Sequence, residues 1–146
     1  MKIYSENVPE KSLKTSMNTQ KIIEKLHQLY PEKKVVLNPS ENPTEIICEL
    51  DPTSAHPEKS IALAIVGSSK PHYHQFSTEI YETQKGILTV YVSGKKRILQ
   101  EGEKITIEPN CVHYVTGEDA WFLIYSEPGW TFEDHIVVEE YSFNSY

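Results

Sequence analysis

The most informative stretch of the chain is PHYHQFSTEIYETQKG (Pro71–Gly86), in which two histidines are separated by one residue. Side chains alternate between the two faces of an extended strand, so His72 and His74 point to the same side. Glu79 follows on the next predicted strand, and the later segment EPNCVH ends in His113. Three imidazoles and one carboxylate form a ligand set for one divalent transition metal ion such as Fe, Mn, Ni, Co, Cu or Zn.

Glycines frame both segments at regular spacing. The first reads G-x4-HxH-x4-E-x6-G from Gly67, and the second reads G-x5-E-x-N-x2-H-x3-G from Gly102. This pair of segments resembles the two sequence motifs of the cupin superfamily. The spacer after Gly67 is one residue shorter than in the family, Glu108 and Asn110 replace a proline and a glycine, and Gly117 replaces a final asparagine. The resemblance covers residues 60–128, and the departures leave all four ligand positions intact.

The resemblance implies an all-β, single-domain cupin, which is a double-stranded β-helix or jelly-roll barrel with one metal ion inside. His72, His74, Glu79 and His113 would be the metal ligands. We assign residues 45–146 to the barrel. Residues 1–44, which the resemblance does not explain, are expected to form an N-terminal arm with one short helix.

Hydrophobic periodicity agrees with a mostly β chain. Asn18–Tyr30 has an N-cap residue, an apolar stripe at helical spacing and a proline directly after it, so it is predicted to be a helix. The remaining apolar runs are short and are separated by turn residues, which favours a sandwich or barrel. The predicted strands are Val35–Leu37, Glu45–Leu50, Ile61–Val66, His72–Gln75, Glu79–Gln84, Ile87–Val92, Lys96–Gln100, Lys104–Ile107, His113–Thr116, Trp121–Tyr125 and His135–Val138.

Composition excludes several functional classes. The net charge is −7 and Arg97 is the sole arginine, so the basic surface that nucleic acid or an anionic membrane requires is missing. The two cysteines do not make a disulfide framework. The sequence has no apolar run of transmembrane length and no secretory signal pattern, so we expect a cytoplasmic protein without a membrane partner.

Several residues near the predicted site allow two interpretations. His135 either lines the barrel mouth as an acid–base group or packs near the C-terminal strand. Lys70 either meets an anionic substrate at the rim or is solvated, and Cys111 is either a buried hydrophobe or a thiolate near the metal. In the strand Trp121–Tyr125, one register places Phe122 and Ile124 inside, whereas the other places Trp121, Leu123 and Tyr125 there.

These observations and the resemblance predict that the protein is a metal-dependent cupin that acts on a small polar metabolite. The first hypothesis is a sugar or sugar-phosphate isomerase in which Tyr81, on the face of Glu79, handles a proton or positions the substrate as the catalytic residue. The alternatives are an iron-dependent dioxygenase of small molecules and a non-catalytic cupin that only binds a ligand. By analogy with cupins that pair through N-terminal arms, we also expect a homodimer.

Overall fold

One helix and ten strands make up the described part of the protein, which is residues 17–139 of a computed structural model. All strand pairs are antiparallel, and the strands join into one curled sheet. The elements are α1 (Thr19–Leu29), β1 (Lys34–Asn38), β2 (Glu45–Asp51), β3 (Ser60–Ser68), β4 (His72–His74), β5 (Thr78–Lys85), β6 (Leu88–Val92), β7 (Lys95–Leu99), β8 (Lys104–Ile107), β9 (His113–Glu127) and β10 (His135–Val137).

The helix confirms the sequence prediction to within one residue at each end. The side chain of Asn18 caps α1 by accepting a hydrogen bond from the backbone N–H of Lys21 at 3.4 Å. Ile22 and Leu26 are buried one turn apart, which matches the apolar stripe. Pro31 follows the C-cap residue and cannot continue the helix. Within the described part of the chain, no helix is long and apolar enough to cross a membrane.

The long strand β9 connects the two parts of the sheet. Its first residues pair with β6 on one side and with His72 of β4 on the other. Its later residues pair with β3 and β5. Because four strands use β9 as a neighbour, their relative positions all depend on this one segment.

The predicted strands His113–Thr116 and Trp121–Tyr125 are not separated by a turn but belong to one strand. β9 runs through residues 117–119 as an irregularity, at which the pairing jumps from Val66–Ala120 to Ser68–Thr116. Asp119 adopts a left-handed φ of 56°, and a Cβ atom on Gly117 would lie 2.8 Å from the Cβ atom of Ala120. Residues that resemble a turn in the sequence therefore form a bulge, which bends the strand without ending it.

Two hydrophobic clusters lie on opposite faces of β3 and β9. The inner cluster fills the concave side of the sheet, and it includes Tyr81, Val90 and Phe122. The outer cluster packs between the sheet and α1, and it includes Leu26. Of the two registers considered for Trp121–Tyr125, the first is confirmed, because Phe122 and Ile124 pack inward. The second is wrong, because Trp121 and Leu123 pack against the outer cluster.

The hairpin between β6 and β7 agrees with its sequence signal. Val92 pairs with Lys95, so Ser93 and Gly94 form a two-residue loop with φ values of 52° and 73°. Positive φ at both loop residues is the type I′ geometry that glycine favours. Residues 1–16 of the expected N-terminal arm lie outside the described residues, and residues 17–44 contain α1 and β1. The domain boundary at residue 44 and the homodimer stay predictions.

Replacement of Leu26 tests whether α1 is a structural part of the domain. Leu26 is fully buried against the sheet, so Leu26→Ala should lower the free energy of unfolding by about 2–5 kcal/mol. Leu29→Ala is the matched control because Leu29 is 48% exposed on the same helix, and it should change the stability by less than about 0.5 kcal/mol. Urea denaturation measures both. Equal effects would show that α1 does not dock as described.

Candidate metal centre

The four predicted ligands come together on the concave face of the sheet. His72 and His74 lie on β4, Glu79 lies on β5 and His113 begins β9. His72 and His113 are direct partners across the β4–β9 pair, so their side chains share a face. The two-residue spacing brings His74 to the same face, as the sequence predicted.

The side chains converge closely. One potential ligand atom from each residue can be chosen so that all four lie within 4.8 Å of one another. Glu79 Oε1 lies 3.3 Å from His74 Nε2 and 3.4 Å from His113 Nε2. The ring centroids of His72 and His113 are 4.3 Å apart. None of the four residues is more than 6% exposed, so the cluster is nearly sealed from bulk water.

Two of the imidazoles are oriented by backbone carbonyls. His72 Nδ1 donates to the carbonyl oxygen of Lys70 and His113 Nδ1 donates to that of Cys111, both at 2.8 Å. A proton on Nδ1 leaves the lone pair on Nε2, which faces the cluster in the case of His113. Such hydrogen bonds fix the tautomer and ring orientation of metal-binding histidines. Lys70 therefore contributes its backbone carbonyl, while its side chain is exposed.

The carboxylate of Glu79 is also held in place. Its Oε1 accepts a hydrogen bond from the Tyr81 hydroxyl at 3.1 Å, and its Oε2 accepts one from the Ser126 hydroxyl at 3.2 Å. The Tyr81 ring packs against Phe122 with centroids 5.0 Å apart. Tyr81 thus lies in the barrel interior beside the cluster, where the sequence placed it. Its catalytic role stays a prediction.

The pKa shifts of His72 and Glu79 favour the protonation states in which these residues bind a metal ion. Burial lowers the pKa of His72 well below its usual range, and the nearby His113 and His135 add to the effect. Burial alone would raise the pKa of Glu79, but the adjacent imidazoles of His113 and His74 hold it well below its usual range. The neutral imidazole and the ionised carboxylate are the states that bind a metal ion.

Two buried nitrogen atoms of the cluster lack hydrogen-bond partners among the described residues and are available to bind a cation. The Nε2 atoms of His74 and His113 are buried, and neither makes a well-formed hydrogen bond within residues 17–139. Burial lowers the pKa of His74, but the adjacent Glu79 outweighs burial and leaves this pKa raised. Buried polar atoms without partners are uncommon in folded proteins, and a metal ion would satisfy them. The three histidines and the glutamate can therefore bind one metal ion.

Sequence inspection missed Glu45 as a site residue. On β2, Ile46 and Cys48 belong to the outer cluster and Ile47 packs against the inner cluster, so Glu45 shares the inner face with Ile47. Burial raises the pKa of Glu45 to about 7, although Asn38 Nδ2 donates a hydrogen bond to it at 3.4 Å and opposes the shift. The charge of Glu79 raises this pKa further. Alternation with Ile47 is the signal that could have identified this second inner carboxylate.

The structure places His135 beside the cluster, and the acid–base role considered for it stays a prediction. Its ring stacks on His72 with centroids 4.2 Å apart and an interplanar angle of 16°. It is half-buried and packs against the cluster itself, next to the candidate ligands. Burial lowers its pKa to about 4, and repulsion from His74 contributes.

A separate cavity of about 210 Å³ lies on the other face of β5. Its β5 residues are Thr78, Ile80 and Glu82, which alternate with the inward-facing Glu79 and Tyr81. None of the four cluster residues lines this cavity. The candidate metal ligands among the described residues therefore lie inside the curled sheet and not in this surface cavity.

Comparisons with solved structures show the fold of this chain in other proteins. The nucleoside dehydratase Pac13, known from Streptomyces, is 14% identical with a TM-score of 0.63, and the match covers 78% of this chain and 91% of that chain. KdgF from a Halomonas species is 17% identical with a TM-score of 0.59, and the match covers 69% and 93%. An E162A mutant of the oxalate decarboxylase OxdC from Bacillus subtilis is 15% identical with a TM-score of 0.61, and the match covers 75% and 31%.

Sequence comparison gives a consistent result. The search of curated protein sequences found no significant match. The family model described as "Cupin domain" matches residues 61–125, which span β3 to most of β9 and include all four residues of the cluster. Residues 61–125 therefore match a cupin domain, the similar folds agree with this match, and the cluster is compatible with a cupin metal site.

Proposed function

We propose that the protein is a metal-dependent enzyme that moves a proton on a small hydroxy-carbonyl metabolite, as an isomerase does. The observation that carries this proposal is the convergence of His72, His74, Glu79 and His113 in a nearly sealed cluster. These four residues would hold one divalent transition metal ion. When bound, such an ion acts as a Lewis acid toward a carbonyl or hydroxyl oxygen.

Two further groups on the inner face suit proton transfer. A general base works best when its pKa lies near the working pH, and the pKa of Glu45 is raised to about 7. Burial raises the pKa of Tyr81 well above its usual range, so this phenol stays protonated and donates to Glu79. We therefore assign proton abstraction to Glu45, whereas Tyr81 orients the carboxylate and remains available as a hydrogen-bond donor.

The burial of the cluster limits the size of the substrate. Because the four residues are at most 6% exposed, little open space surrounds them, which favours a short hydroxy aldehyde or hydroxy ketone over a larger sugar phosphate. Two proteins with similar folds are named for reactions of small polar compounds, a nucleoside dehydratase and an oxalate decarboxylase. These likenesses support a polar substrate and leave the reaction to experiment.

Metal analysis tests the cluster directly. The wild-type protein should bind about one divalent ion per chain. Loss of a residue that only hydrogen-bonds to a metal ligand weakens metal binding roughly 10–100-fold, so His74→Ala, which removes a ligand, should weaken binding by at least this factor. His56→Ala is the matched control, because His56 is exposed and pairs with Asp51 away from the cluster. Calorimetric titration with cobalt or zinc, followed by elemental analysis, measures the binding. Equal metal content in all three proteins would refute the assignment.

Solvent exchange tests the reaction class. The metal-loaded enzyme should replace the C–H proton beside the carbonyl of its substrate with deuterium in D₂O, since proton abstraction is the proposed step. Proton NMR can follow a panel of short hydroxy aldehydes and hydroxy ketones, and Glu45→Gln should slow the exchange by about 10²–10⁴-fold. Oxygen consumption without exchange would instead favour the dioxygenase, and tight binding without either would favour a non-catalytic cupin.

The pH dependence of stability tests the raised pKa of Glu45 without any substrate. Because the folded state holds this proton more tightly than the unfolded chain, the free energy of unfolding should fall as the pH rises from 4.5 to about 7. The contribution is about 3 kcal/mol at most. Glu45→Gln should remove this fall, and Glu41→Gln, which alters an exposed loop residue, controls for the lost charge. Urea denaturation of the chelator-treated proteins makes the comparison, and parallel curves would contradict the assignment.

A further inference from the structure

The imidazole of His135 stands directly beside the metal cluster without belonging to it. Its strand β10 pairs with β4, so that His135 lies opposite His74 and Val137 lies opposite His72. The His135 ring stacks on that of His72, and it meets the ring of His74 edge-on with centroids 5.3 Å apart. Two of the four candidate ligands are therefore its immediate neighbours.

A hydrogen bond from Trp130 fixes which nitrogen of His135 carries the proton. The indole Nε1–H of Trp130 donates to His135 Nδ1 at 3.1 Å. Because an indole nitrogen can only donate, the Nδ1 atom that accepts this bond must be unprotonated. The imidazole is then neutral, with its single hydrogen on Nε2. A nitrogen in that state is a hydrogen-bond donor and not a metal ligand.

The Nε2–H of His135 is free to meet a small molecule. Among the described residues, Trp130 is the sole side chain that hydrogen-bonds to this ring. The Nε2 atoms of His74 and His113 are sealed from solvent, whereas that of His135 is not among the sealed atoms. His135 therefore offers a donor that is not sealed from solvent, on a ring that packs against the cluster.

The position of His135 is rigid because its neighbour Asp134 anchors the segment. The Asp134 carboxylate accepts hydrogen bonds from the backbone N–H groups of Gln75, Phe76 and Ser77 at 2.8–3.2 Å. These residues form the connection between β4 and β5, which carry three of the four candidate ligands. His135 is thus fixed relative to His74 and Glu79, as a residue that orients a bound molecule must be.

We propose that His135, oriented by Trp130, donates a hydrogen bond from Nε2 to an oxygen atom of the small molecule that binds at the metal cluster. The ligand class is a compound with a carbonyl or carboxylate oxygen, and the proposal rests on the metal-dependent function above. Trp130 acts as a positioning residue, because its contact is with His135.

Cobalt-loaded protein provides a test that does not depend on turnover. Glycolate serves as the probe because it presents both a carboxylate and a hydroxyl group, and its binding should shift the visible absorption bands of cobalt. His135→Phe keeps an aromatic ring for stacking but removes the N–H, so the Kd of glycolate should rise about 5–10-fold while cobalt affinity stays within about twofold. His135→Gln retains an N–H donor and should recover part of the affinity.

Two more variants sharpen the comparison. Trp130→Phe leaves His135 in place but removes the hydrogen bond that fixes its tautomer, so glycolate binding should weaken by less than in His135→Phe. Phe76→Leu is the control, because Phe76 is 67% exposed in the neighbouring loop and its side chain makes no contact that the proposal uses. Nitrogen-15 NMR of the zinc-loaded protein should show a protonated Nε2 on His135.

The possible outcomes separate this proposal from the proposed function. Loss of cobalt in His135→Phe would make His135 a fifth ligand and overturn the proposal, as would an unchanged glycolate Kd. A protonated Nδ1 on His135, or a wild-type cobalt spectrum that glycolate does not change, would also overturn it. If the wild-type protein binds no cobalt, the proposed function fails together with this inference.

Discussion

The buried carboxylate of Glu79 is the constraint on which the centre of this fold depends. A carboxylate that is 3% exposed needs partners that replace its water, and the structure provides two hydroxyl donors and two imidazole edges. These partners come from β4, β5 and β9, so the same requirement that satisfies one charge also draws three strands together. The metal site and the packing of the sheet therefore share one cause.

The strand β9 meets this requirement by bending rather than stopping. Its first half brings His113 against His72, and its second half brings Ser126 against Glu79. A straight strand of 15 residues could not serve both halves of a curled sheet, so the irregularity at Gly117–Asp119 is what allows one strand to do so.

Local patterns in the sequence were enough to predict much of the fold and the cluster. The helix cap at Asn18, the hairpin loop at Ser93–Gly94 and the spacing of His72 and His74 each depend on residues a few positions apart. The bulge in β9 was missed because its residues also suit a turn, and only pairing with β3 distinguishes the two. Glu45 was missed and the place of His135 was left open for the same reason, since β2 joins the sheet and β10 joins β4 through long-range pairing that no local pattern specifies.

The alternation of β5 separates two chemically different surfaces on one strand. Glu79 and Tyr81 point into the sheet, where low polarity strengthens every charge interaction, whereas Ile80 and Glu82 line the cavity on the outside. Acidic groups occur on both faces of β5, but Glu79 meets buried imidazoles whereas Glu82 lines the outer cavity. A solvated carboxylate such as that of Glu82 can reorganise with water, so it has no need of a cation. The four cluster residues can bind a metal ion because they are buried together, and their residue types alone would not be enough.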